Sequence, residues 1–170
     1  ERLSFLLNQN ILFLDETKIK KAITQFEFVS SFSIKKIYPN VVQILIKEEI
    51  PVATLIEDKK KFFLTEKGKK IKFNNIKKFK NLPLIFGSYS NFENFFLDLK
   101  NVDFPIDTIE SFHYLDIGRW DIFLKNDKII KLPKENYKEI LKSFLTIYNE
   151  NDFKKYKLFD YRINGQLILN

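Results

Sequence analysis

The sequence predicts an α+β fold in two parts: an N-terminal strand–helix–hairpin unit, followed by a mostly antiparallel β-sheet domain with two packed helices. Three observations lead there. Apolar residues recur at helical spacing in three separate stretches, they alternate with period two in the segments between, and Pro51 stands where the first group of elements ends. A hydrophobic share of 45% over 170 residues is enough for packed cores, and the scarcity of Gly and Pro argues against a disordered or low-complexity chain.

In the first part, the apolar run Ile11, Leu12, Phe13, Leu14 reads as a short strand, with Asp15 as the N-cap of a helix. Ile19, Ala22, Ile23 and Phe26 then repeat at i, i+3, i+4, i+7, an apolar stripe suited to lying on a sheet. From Phe28 the period becomes two. Phe28, Phe32 and Ile34 share one face, as do Val42, Ile44 and Ile46, and Tyr38-Pro39-Asn40 between them supplies the reversal of a hairpin. Pro51 lacks an amide hydrogen for a central ladder, so the first domain is expected to span residues 1–51 and the second 52–170.

The second part opens with expected strands at 53–56, 62–64 and 71–73, with Lys67-Gly68 as a turn. Phe92, Phe95, Phe96 and Leu99 form one helical stripe, and Tyr137, Ile140, Leu141, Phe144 and Tyr148 a longer one. Between them, strands at 108–115, 120–124 and 128–132 form a meander turned at Gly118 and at Asn126-Asp127. The chain closes on a hairpin, strand 156–163 and strand 167–169 about an Asn164-Gly165 turn.

Few residues suit catalysis. His113 is the one histidine, which leaves no multi-histidine metal site, and its place inside a strand suits a locally hydrogen-bonded or solvent-facing side chain. Asp98, Asp103, Asp107, Asp116 and Asp121 fall at expected strand ends and turns as solvated caps. The four glycines are too scattered for a phosphate loop, and without Cys there is no thiolate chemistry. No cofactor is expected, and no enzymatic role.

The formal charge of +7 invites a nucleic-acid reading, yet 26 of the 29 basic residues are Lys, whereas base readout favours Arg. The three arginines are Arg2, Arg119 and Arg162. Nucleic acid is therefore not expected as a partner. Ten lysines crowd residues 59–80 against the single acid Glu66. Such a run can meet anionic headgroups, or serve as a solvated rim that blocks edge-to-edge aggregation.

Several segments in order resemble one family. Residues 28–40, ending in Tyr38-Pro39-Asn40, and residues 44–53, with acids before Pro51-Val52-Ala53, resemble the POTRA domain of the FtsQ/DivIB bacterial cell-division proteins. Leu82-Pro83 with Gly87, then Gly118-Arg119-Trp120, then Ile130-Lys131-Leu132-Pro133, then Phe159-Asp160-Tyr161-Arg162 are similar to further elements of that family. Tyr38 stands where Trp is more usual, Ile50 where a polar residue is common, and Tyr161 where the family has Leu.

The resemblance implies a non-enzymatic scaffold of the divisome at the septum. It would be a single-pass inner-membrane protein whose membrane helix lies upstream of Glu1, with this region on the periplasmic side. It also implies that the FtsB–FtsL pair binds by adding a strand to the last strand of the sheet. By position that edge is Ile163, Gly165, Gln166, Leu167 and Ile168, with Arg119 and Arg162 as candidates for pairing with partner acids. Other division proteins would use the POTRA domain. For Arg162 the competing role is an internal ion pair with Asp160 or Asp116. A second functional expectation is a POTRA-bearing component of a secretion or outer-membrane assembly system.

Overall fold

A computed structural model describes residues 3–7, 9–148 and 150–170, so Arg2 lies outside the described residues. The chain divides into two compact units, residues 1–50 and 51–170.

The first unit contains helix α1 (Glu16–Thr24) and the hairpin β1 (Val29–Ile37) and β2 (Val41–Glu48). Asp15 caps α1 by accepting from the Thr17 amide at 2.8 Å. Ile19 and Ile23 are buried against Phe32, Ile34, Val42 and Ile44, which the hairpin register sets on one face by pairing Ile34 with Ile44 and Lys36 with Val42. The Lys36 ammonium reaches from the hairpin to the Leu14 carbonyl at 3.0 Å.

The expected strand at residues 11–14 is instead a 3-10 turn, Ile11–Phe13. Asn10 accepts from the Leu12 amide at 2.9 Å, and Ile11 and Leu14 turn inward while Leu12 and Phe13 stay exposed. Inward residues three apart are the signature of a turn, and four apolar residues in a row carry no periodicity to tell the two apart.

The second unit is built on one nine-stranded sheet in the order β11-β10-β9-β8-β7-β6-β3-β4-β5. Its strands are β3 (Pro51–Glu57), β4 (Lys60–Thr65), β5 (Lys70–Lys72), β6 (Leu84–Phe86), β7 (Ile109–Leu115), β8 (Arg119–Leu124), β9 (Ile129–Lys131), β10 (Leu158–Asp160) and β11 (Ile168–Leu169). Most pairings are antiparallel, but β3–β6, β6–β7 and β9–β10 are parallel. Parallel neighbours need a crossover: α2 (Phe92–Asn101) joins β6 to β7, α3 (Tyr137–Tyr148) joins β9 to β10, and β4, β5 and a 3-10 turn (Lys77–Phe79) lie between β3 and β6.

Both helices contribute to a single core. Phe95 stacks on Trp120 at 4.9 Å, Phe92 and Phe95 meet Phe112 edge-on, and Phe144 meets Phe159 at 5.1 Å. Strand β6 is additional to the strands the sequence predicts, since three residues held between two parallel neighbours leave no alternation to read. Gly87 ends it with φ +87, and a side chain there would bring Cβ within 2.3 Å of the Tyr114 carbonyl oxygen.

Two of the expected solvated acids are buried instead. Asp98, inside α2, accepts from the Tyr137 hydroxyl at 2.5 Å and pairs with Lys138 at 2.8 Å, which joins α2 to α3. Asp121 is a strand residue of β8. Amphipathic period alone cannot show that a helix carries an acid toward a neighbouring helix. His113 sits in β7 with its ring at 3.1 Å from the Ser111 hydroxyl, between the rings of Phe86 and Phe123. Among the described residues no helix is long and apolar enough to cross a membrane.

Candidate functional site: the C-terminal sheet edge

The sheet has two ends, β5 and β11, and they are chemically different. Strand β5 is Lys70-Ile71-Lys72, with both lysines exposed. Lysines on an edge oppose pairing with another chain. Strand β11 is Ile168-Leu169, carries no charge and leaves Ile168 45% exposed.

The ladder holding β11 fixes which backbone groups it offers. Leu158 and Asn170 exchange both hydrogen bonds, at 2.8 and 3.2 Å, and the next pair is Phe159 with Leu169. In an antiparallel ladder, bonded and non-bonded pairs alternate, so the amide and carbonyl of Leu169 point away from β10. No strand lies on that side in the described sheet. Leu167 and Leu169 pack toward the core, which sets the tilt of the edge.

The expected hairpin is looser than the sequence suggests. Asn164-Gly165 does form the corner of a turn, with the Gln166 amide donating to the Ile163 carbonyl at 3.1 Å and Gly165 at φ +72. Strand β10, however, stops at Asp160, not Ile163. The Tyr161 amide donates back to the Lys131 carbonyl at 2.9 Å and the Arg162 amide to the Asp160 carboxylate at 3.1 Å, so residues 161–167 form a loop. Asn-Gly marks a reversal but not the point where flanking strands pair.

The charges beside this edge form a row. Register places Asp121 opposite Lys131 and Lys131 opposite Asp160, across β8, β9 and β10. Arg119 clamps Asp121 at 3.3 and 3.4 Å, and Arg162 clamps Asp160 at 2.5 to 2.9 Å. The Arg162 guanidinium, with Lys131 behind it, holds the Asp160 carboxyl below the usual carboxylate range. The Arg119 side chain is 12% exposed and that of Arg162 43%.

The family model described as "Cell division protein FtsQ/DivIB, C-terminal" matches residues 53–162, more than half of the chain. The chain belongs to the FtsQ/DivIB family. Curated relatives named "Cell division protein FtsQ" include one from Haemophilus influenzae, 26% identical over 155 residues, covering 86% of this chain and 59% of the relative. Another from Cellvibrio japonicus is 23% identical, with coverage of 88% and 47%. One from Rickettsia conorii is 28% identical, with coverage of 88% and 56%. The chain thus spans about half to three-fifths of the length of these relatives.

Within the FtsQ/DivIB match, the two expected arginines flank one row of charges, Arg119 at the start of β8 and Arg162 in the loop after β10, with β9 between those strands. Both make the internal pairs just described, and for Arg162 the partner is Asp160, one of the two acids foreseen as competitors. Ile163, Gly165 and Gln166 are exposed in the loop, Leu167 packs inward, and Ile168 lies in β11 itself. These five follow the matched span, which ends at Arg162. Lys131, which the register sets between the two acids, is not legible in the sequence because its place depends on β10 returning parallel to β9. Alternate positions on a strand of three residues carried no signal for it.

Proposed function

We propose that this protein is a non-enzymatic divisome scaffold that recruits other cell-division proteins by accepting a strand on the open side of β11. The supporting observation is the contrast between the two sheet ends: β5 is guarded by exposed lysines, while β11 presents outward backbone groups and no charge. The family implies the FtsB–FtsL pair as the visiting polypeptides. Backbone bonds to Leu169 would supply sequence-independent affinity, and Ile163, Gly165, Gln166, Leu167 and Ile168, all but Leu167 exposed, would select side chains. Arg162 is the arginine with reach, since its charge is only partly covered, whereas Arg119 would act mainly by holding Asp121 in line.

On this reading residues 1–51 are a POTRA domain open to further division proteins, and residues 52–170 are the β domain. The protein would be held at the inner membrane by a helix upstream of Glu1, with this region periplasmic at the septum. The family match favours the division role over a secretion or outer-membrane assembly component, because it falls on the β domain, outside the POTRA unit that such systems share.

The test is titration of the chain with a peptide from the extracytoplasmic end of an FtsB partner, read by calorimetry. Arg162→Glu and Leu169→Pro should each weaken binding by tenfold or more, while Lys72→Glu at the opposite edge leaves it unchanged. Affinity that survives both edge variants, with folding shown intact by circular dichroism, would remove the strand-addition model.

A further inference from the structure

Beyond β5 the chain returns over the sheet face opposite α2 and α3. Phe73 and Phe79, on this returning segment, pack against Phe63 at 4.9 and 5.5 Å. Strand alternation turns Phe63 away from Leu64 and the helical core. Beneath this arch lies a cavity of about 440 Å³, whose lining includes Phe63, Phe73, Ile76, Phe79, Leu84 and Thr54. Lys61, Asn75 and Lys80, all exposed, complete its wall. Its volume is in the range of small-ligand sites, and its lining is mixed, phenylalanine and aliphatic side chains beside polar and cationic ones, as an amphiphile requires.

The lysines here exceed what the structure itself requires. Lys70 and Lys72 guard the β5 edge, and Lys70 is paired with Glu57 at 2.6 Å. Lys77, Lys78 and Lys80 have no such duty, because they sit on or beside a 3-10 turn (Lys77–Phe79) and not on a strand. Among the described residues no carboxylate comes within ion-pair distance of them or of Lys61, and the nearby Glu66 is already occupied by Lys100 at 2.7 Å. A cavity lined partly by phenylalanine, whose wall carries ammonium groups without a carboxylate partner, is complementary to an amphiphile with an anionic head.

We propose that the arch over β3, β4 and β6 is a binding site for an anionic phospholipid, with acyl carbons in the phenylalanine-lined cavity and the phosphate held by Lys61 and Lys80. The remaining lysines of residues 59–80 add a diffuse attraction toward an anionic bilayer. This site is independent of β11, so either can fail without the other.

Sedimentation of the 170-residue chain with vesicles is the test. Vesicles containing phosphatidylglycerol should bind it saturably and salt-dependently, and pure phosphatidylcholine vesicles should not. Lys61→Glu with Lys80→Glu should weaken binding by about tenfold or more. Asn75→Trp, at an exposed position, should abolish saturable binding of short-chain phosphatidylglycerol below its micelle concentration while leaving the fold unchanged. Inorganic phosphate should not compete. Full vesicle binding by the double variant, unchanged short-chain binding by Asn75→Trp, or equal binding to duplex DNA at the same salt would each overturn the assignment, the last two by reducing it to unspecific charge.

Discussion

The Lys128 ammonium donates to the Tyr156 carbonyl at 2.6 Å and sits 5.1 Å from the centre of the Phe159 ring, beneath the chain that enters the final two strands. It also donates to the Lys154 carbonyl at 3.1 Å. One buried cation thus gathers the segment between α3 and β10, and burial pushes its pKa down from the ordinary lysine value.

Lys128→Met keeps the aliphatic stem but removes the donor, leaving the partly buried Lys154 and Tyr156 carbonyls without this partner. The expected cost is about 1–3 kcal/mol in urea unfolding. Amide exchange at Leu158 and Asn170, whose bonds hold β11, should accelerate more than exchange in β7. Uniform acceleration across the sheet would assign Lys128 to global stability instead of to the edge.

The Asp160 and Arg162 pair predicts an acid dependence with a definite sign. Because Arg162 depresses the folded-state pKa of Asp160, its contribution is fully present above the ordinary carboxylate range and is lost as pH falls through the depressed value. Asp160→Asn should flatten that part of the stability profile below about pH 4. Parallel profiles for wild type and variant would show that the pair is not coupled to folding.

Tyr137→Phe deletes the hydroxyl that meets Asp98, leaving a buried carboxylate supported chiefly by the Lys138 ammonium. A loss of about 1.5–3 kcal/mol is expected, the range for hydrogen bonds to a charged group. The double variant with Asp98→Asn should lose less than the sum of the single changes, since the two residues share one interaction. Strict additivity would contradict the contact.

Gly87→Ala forces a side chain into left-handed backbone and against the Tyr114 carbonyl. Destabilisation of at least about 2 kcal/mol is expected, with loss of the β6–β7 pairing seen by amide exchange. Gly165→Ala, where no atom lies within 4 Å of the added carbon, should cost less and act through backbone strain alone.

Much of the fold could be read in the sequence. The four residues of the α2 stripe are all buried, the α3 stripe contains the two residues buried there, Leu141 and Phe144, and the meander β7–β8–β9 has its turns where Gly118 and Asn126-Asp127 place them. The same short-range logic failed at residues 11–14, where four apolar residues fit a turn as well as a strand. It also failed at β6, whose parallel neighbours hide it. At the candidate site, Arg119 and Arg162 could be singled out by residue type and by family pattern. Their carboxylate partners are two residues away in sequence, within reach of local reasoning.

Periodicity, capping and chain reversal are written in the order of residues, because they depend on side chains a few positions apart. Which strands become neighbours, and so which one stands at the end of the sheet, is set by packing between distant segments. The parallel return of β10 beside β9 aligns Asp121, Lys131 and Asp160 and puts β11 outermost. Such long-range pairing is set by how two helices and nine strands share one core, and no local pattern encodes it.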